Sequence, residues 1–125
     1  MNKIKFYKNN GILDHEEVLN EKSLANTNGM LIKCYMNDGC VEVGYSDPYR
    51  ANNMNEFDDE IHDYIYIWTW DNIDEDKHKL IGNDIEKYNK TYKKIIIKDI
   101  NDIDAILYSS PRWGGRITNK FDFRK

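Results

Sequence analysis

The sequence predicts a mainly β domain of the α+β kind: a short N-terminal helix, then about five strands forming a small barrel or a strongly curved antiparallel sheet. Three observations carry this. Residues 30–47 hold two apolar runs either side of Asp38-Gly39, and an Asp-Gly pair in that setting signals a hairpin, because its turn needs positive φ at the central residues. Tyr64–Trp70 alternates aromatic residues with Ile and Thr, the period of a strand. Residues 93–98 carry Ile95, Ile96 and Ile97 in succession, a β-branched run suited to a buried strand.

The elements follow in order. Ile4 and Phe6 alternate with lysines and predict a short first strand. Asn10-Gly11 breaks it. Asp14 and Glu17 have the spacing of a capping box, with Val18 and Leu19 behind them, so a helix is expected over residues 14–22. In the hairpin, a turn at Asp38-Gly39 pairs Met36 with Val41, Cys34 with Val43 and Ile32 with Tyr45, placing all six on one apolar face. Pro48 takes the chain out of the sheet, since proline donates nothing to a ladder. Residues 49–63 read as a long acidic loop and residues 71–89 as a polar excursion. Residues 103–109 give a further strand or a short helix, and Ile117, Asn119, Phe121 and Phe123 alternate as an edge strand. No internal repeat or linker divides residues 1–125, so one domain is expected.

Composition narrows the class. Of 125 residues, 40% are hydrophobic and 32% charged, a globular balance. No stretch approaches the roughly 20 apolar residues of a membrane helix, and the basic N-terminus has no apolar run behind it. A cytoplasmic protein without membrane attachment is the expectation. The two cysteines, Cys34 and Cys40, fall on opposite faces of the hairpin, so free thiols are expected. A net charge of −4 argues against a surface coated for nucleic acid, although Arg112, Arg116, Lys120, Arg124 and Lys125 make the end basic.

A short helix, then a hairpin carrying Asp38, Gly39 and a second glycine at Gly44, resembles the opening of an Sm-like or SH3-like small β-barrel, over about residues 14–47. The resemblance implies strong strand bending at Gly44, RNA contacts from a later Asp and Met-Asn, and a ring assembly. Met54-Asn55 is present but offset by one position, Arg50 stands near the place of the family's Asp, and the Ile-Arg-Gly motif of the last strands is absent. The RNA-binding residues therefore do not carry over.

Two stretches stand out as candidate binding sites. Tyr64, Tyr66, Trp68 and Trp70 line one face of their strand, where stacked aromatics would bind bases or anchor a protein; the plainer reading buries both faces of the strand. Arg112, Trp113, Gly114, Gly115 and Arg116 combine cations, an aromatic and two glycines in one turn, suited to an anion; the plainer reading is a structural turn whose arginines pair with acidic loops. Glu56, Asp58, Asp59 and Glu60 form an acidic loop able to face a basic partner. His15, His62 and His78 lack ligand spacing, so no metal is expected. No nucleophile motif, dinucleotide fingerprint or cofactor signature is present. The expectation is a small non-enzymatic binding or regulatory domain engaging a protein. An Sm-like nucleic-acid binder using the basic C-terminal segment is the second reading, and a small-ligand protein or enzyme with a pocket at the Gly-Gly turn the third.

Overall fold

The structure is a computed structural model and describes residues 2–8, 10–50, 60–70 and 90–109, with the side chains of Thr69, Trp70 and Lys90 outside the described set. Its elements are β1 (Lys3–Tyr7), β2 (Leu13–Val18), α1 (Glu21–Asn26), β3 (Leu31–Met36), β4 (Val41–Asp47), β5 (Tyr64–Trp70), β6 (Lys90–Ile96), a 3-10 turn (Ile97–Asp99) and β7 (Ile100–Ile106). The strands form one seven-stranded sheet in the order β2-β1-β7-β3-β4-β5-β6. β1 and β7 run parallel and every other pair is antiparallel. The sheet is open. It is not closed into the expected barrel, and it is not purely antiparallel, because β7 lies between β1 and β3 and runs parallel to β1.

The helix lies later than expected. Residues 13–18 are a strand paired with β1, where Lys5 faces Glu16 and Phe6 faces His15. The capping box is reciprocal between Asn20 and Ser23: the Ser23 amide donates to Asn20 Oδ1 at 2.9 Å, and the Asn20 amide donates to Ser23 Oγ at 2.9 Å. Asp14 and Glu17 instead hold His15 between them at 2.6 and 3.0 Å. Local capping chemistry was thus present in both places, and pairing with β1 decided which segment became helix.

The hairpin forms where expected but one residue out of register. Cys34 faces Glu42, Ile32 faces Gly44 and Leu31 faces Tyr45. The cause is the loop. Met36 donates to Cys40 O at 2.9 Å and Gly39 donates to Met36 O at 3.0 Å, so Asn37-Asp38-Gly39 is a three-residue loop with Gly39 at φ +90°, where a two-residue turn would have given the expected pairing. Gly44 then lies on the core face. A Cβ there would stand 3.1 Å from both Ile67 Cβ and Trp68 O, so the missing side chain makes room for β5.

One face of the sheet, the helix face, carries the principal core. Ile4, Phe6, Ile32, Cys34, Ile65, Ile67, Ile95, Ile103 and Ala105 gather there with Leu24 of α1 and with Ile61 and Ile100. Thr27, just after α1, donates to Leu24 O at 2.7 Å and meets Ser46 Oγ of β4 at 2.7 Å, which fastens the helix to the sheet. Both cysteines are free thiols, Cys34 buried and Cys40 exposed. Burial pushes the Cys34 thiol up to about 12.

Candidate interaction face

The far face of the sheet, opposite α1, divides into two parts. Over β4 and β5 it is buried: Tyr45 stacks on Trp68 with centroids 4.8 Å apart, and Tyr66 and Trp68 are each 6% exposed. Asp47 and Arg50 form an ion pair at 2.6 Å on this side, with little exposure of either side chain, and the Arg50 guanidinium lies 4.4 Å from the Tyr92 ring. Over β1, β7 and β3 the same face buries Leu31 and Ile106 but is otherwise polar and half-exposed. Lys3, Lys5 and Tyr7 come from β1, Asp102 and Asp104 from β7, and Lys33 and Tyr35 from β3.

The strand alternation makes this cluster. In β1, β3 and β7 the apolar residues that enter the core are spaced by two, so the residues between them share the other face. Register then sets charge against charge: Asp104 is opposite Lys5 on one side and Lys33 on the other. Tyr35 Oη donates to Asp104 Oδ2 at 2.9 Å, and the Lys3 amide donates to Asp102 Oδ1 at 2.9 Å. The Lys33 ammonium stands 5.4 Å from the Tyr35 ring.

The electrostatics follow from partial burial. Desolvation raises the Asp104 carboxyl above its ordinary value, opposed by the Tyr35 hydrogen bond and by Lys5 and Lys33. Burial pushes the Tyr35 phenol up to about 12, aided by its hydrogen bond to Asp104 and by that carboxylate's charge. Tyr7 is raised for the same first reason and then by Asp104 and Glu16. The result is a row of Lys5, Asp104 and Lys33 in adjacent register across three strands, its carboxylate held by the Tyr35 phenol and flanked by that of Tyr7. Among the described residues no three His, Cys, Asp or Glu side chains gather as metal ligands.

The expected sites are distributed differently. Tyr64 is half-buried and meets Tyr66 edge-on at 5.8 Å, with the Lys94 ammonium 4.3 Å from its ring. Tyr66 and Trp68 are core, and since Ile65 and Ile67 are buried on the helix face, β5 is enclosed on both sides from Ile65 to Trp68. The Trp70 side chain lies outside the described set. Glu60 is exposed just before β5. Glu56, Asp58, Asp59, Met54, Asn55 and the whole stretch Arg112, Trp113, Gly114, Gly115 and Arg116 lie outside the described residues, as does the expected strand through Ile117 and Phe123. Ser109 is buried and structural, accepting the Leu31 amide at 2.8 Å and donating to Ile106 O.

The Lys5–Asp104–Lys33 row was not anticipated, though its signal lies in the sequence. Lysines alternate with Ile and Phe in β1, and aspartates alternate with Ile and Ala in β7. No protein-family model, curated protein or solved structure matches the chain. The resemblance to an Sm-like or SH3-like barrel therefore gains no support from known proteins, and the open sheet departs from it.

Proposed function

We propose that the chain is a small non-enzymatic binding domain that engages a protein partner through the polar part of its far face. The supporting observation is the Tyr35–Asp104 hydrogen bond set between Lys5 and Lys33 on a half-exposed sheet surface. Tyrosines give a rigid contact area at low entropic cost, and fixed charges of alternating sign select a complementary partner surface. Tyr66 and Trp68 of β5, each buried, contribute to stability under this reading, not to contact. A nucleic-acid partner is the weaker fit here, because Lys3, Lys5 and Lys33 stand beside Glu16, Asp102 and Asp104 and so cannot act as a row of unopposed phosphate contacts.

The test is capture of partners from extract by the tagged full chain, with and without nuclease, beside a Lys5→Glu/Lys33→Glu variant of unchanged thermal midpoint. A stoichiometric protein that survives nuclease, and whose affinity falls at least about tenfold with the variant, supports the reading. Equal capture by both chains refutes this face as the site. Loss of all captured protein on nuclease treatment would favour nucleic acid.

A further inference from the structure

β2 is the outermost strand of the sheet, paired with β1 alone. Its backbone pattern can be read from one bond: Leu19 donates to Asn2 O at 3.0 Å, in line with the register that pairs Val18 with Lys3 and Glu17 with Ile4. Hydrogen-bonded and non-hydrogen-bonded pairs alternate in an antiparallel ladder. Glu17 and His15 therefore direct their backbone groups at β1, and Glu16 and Val18 direct theirs away from the sheet. No strand among the described residues meets those groups, and the strand is exposed along its length apart from the half-buried Glu17. Ile12, Leu13 and Val18 present apolar side chains to solvent beside it.

The side chains of β2 are engaged inward. Glu16 pairs with Lys3 at 3.2 Å, His15 bridges Asp14 and Glu17, and Glu17 accepts from Asn26 of α1 at 3.0 Å. The His15 ring stacks on Phe6 at 4.6 Å and 7°. These contacts hold the strand extended, so its outer edge is ordered in advance of binding. On β2 itself three carboxylates stand against one histidine, with Lys3 of β1 pairing Glu16 from the inner side. A second copy added two-fold to this edge would set Asp14, Glu16 and Glu17 against the same three residues, which opposes self-pairing.

We infer that the β2 edge accepts an extended, basic segment of a partner protein as an eighth strand, through the outward backbone groups of Glu16 and Val18 with lysine or arginine side chains opposite Glu16 and Glu17. Main-chain hydrogen bonds supply affinity in such strand addition, and the facing side chains supply selectivity. This edge adjoins the far-face cluster, since Lys3 and Lys5 neighbour Glu16, but the inference rests on the outward backbone groups of β2 and does not depend on that reading.

The probe is a fluorescein-labelled heptapeptide, Val-Lys-Lys-Val-Lys-Lys-Val, titrated into the full chain by fluorescence anisotropy. Its glutamate counterpart and a version N-methylated at alternate amides serve as comparisons. The inference expects saturable binding of the lysine peptide, at least about tenfold tighter than the glutamate peptide, and loss of binding on N-methylation. On the protein side, Val18→Pro removes an outward N–H while keeping every carboxylate, and is expected to abolish binding with the thermal midpoint little changed. Glu16→Gln keeps that N–H and is expected to weaken binding severalfold. Should Val18→Pro fail to fold, the N-methylated peptide makes the same test on unaltered protein. Equal affinity for both peptides, binding that survives N-methylation, no binding at all, or a doubled mass of the unliganded chain would each overturn the inference. Lys33→Glu distinguishes the two surfaces: on β3, three strands from β2, it should leave anisotropy binding in place even if it weakens partner capture.

Discussion

β5 and β1 both run through the same sheet, yet they are stabilised in different ways. The middle of β5 is enclosed on both faces, with Ile65 and Ile67 turned toward α1 and Tyr66 and Trp68 buried on the far side. β1 buries only Ile4 and Phe6, and its alternate residues Lys3, Lys5 and Tyr7 remain half-exposed. Beyond it, β2 is exposed on both faces. Burial therefore declines from β5 toward β2, and it falls also at β6, where Thr91, Lys93 and Lys94 are exposed. Tyr66 and Trp68 are closed to a partner by their burial. Under the proposed reading, recognition falls to the half-exposed cluster of Tyr35, Asp104 and the lysines and to the outer edge of β2, which no other strand among the described residues meets.

The contrast can be broken most forcefully at Trp68. Trp68→Ala should destabilise the fold by about 3–5 kcal/mol, whereas Tyr7→Ala on the half-exposed part of the same face should cost less than about 1 kcal/mol; urea midpoints compare the two. Next comes Gly44→Val, which forces a side chain against Ile67 and Trp68 O. It should cost about 1–3 kcal/mol by the same assay. Were the hairpin in the alternative register, valine there would face away from Ile67 and be nearly neutral.

On the polar side, Tyr35→Phe removes one hydrogen bond to a half-buried carboxyl, a loss of about 1 kcal/mol. Asp104 also gives this side a pH signature. Its folded carboxyl is raised above the ordinary 3.8, so the native chain holds that proton more tightly than the unfolded chain does. The stability this supplies is complete below 3.8 and is lost as pH rises through the raised folded value. The wild-type urea midpoint should therefore fall relative to Asp104→Asn across that interval and then run parallel to it. Tyr35→Phe should move the interval to higher pH, because the phenol lowers the Asp104 carboxyl. The smallest effect is expected at the exposed pair between Lys93 and Glu42, where Lys93→Ala should cost only about 0.2–1 kcal/mol and less with added salt.

Much of the strand content was legible because it is local. The alternation of Tyr64–Trp70, the first strand through Ile4 and Phe6, and the Asp-Gly hairpin each announce themselves within a few residues. The register of β3 against β4 was not legible from apolar alternation, because β4 buries residues on both faces. Val43 and Tyr45 look like the core side, while Gly44, which has no side chain to count, occupies it. Asp14-x-x-Glu17 matches a helix cap, and only pairing with β1 makes it a strand. The parallel pairing of β1 with β7 joins Ile4 to Ile103, a contact across most of the chain with no local signature. The Lys5–Asp104–Lys33 row depends on that pairing and was hidden with it.

Residue-by-residue amide exchange across β2 tests the open-sheet account most directly. With β2 at an uncovered edge, the Glu17 and His15 amides, bonded to β1, should exchange slowly, and those of Glu16 and Val18 should exchange at nearly the free rate. Equal protection at all four positions would contradict the account, since it would mean that a further strand covers this edge, as closure into a barrel requires.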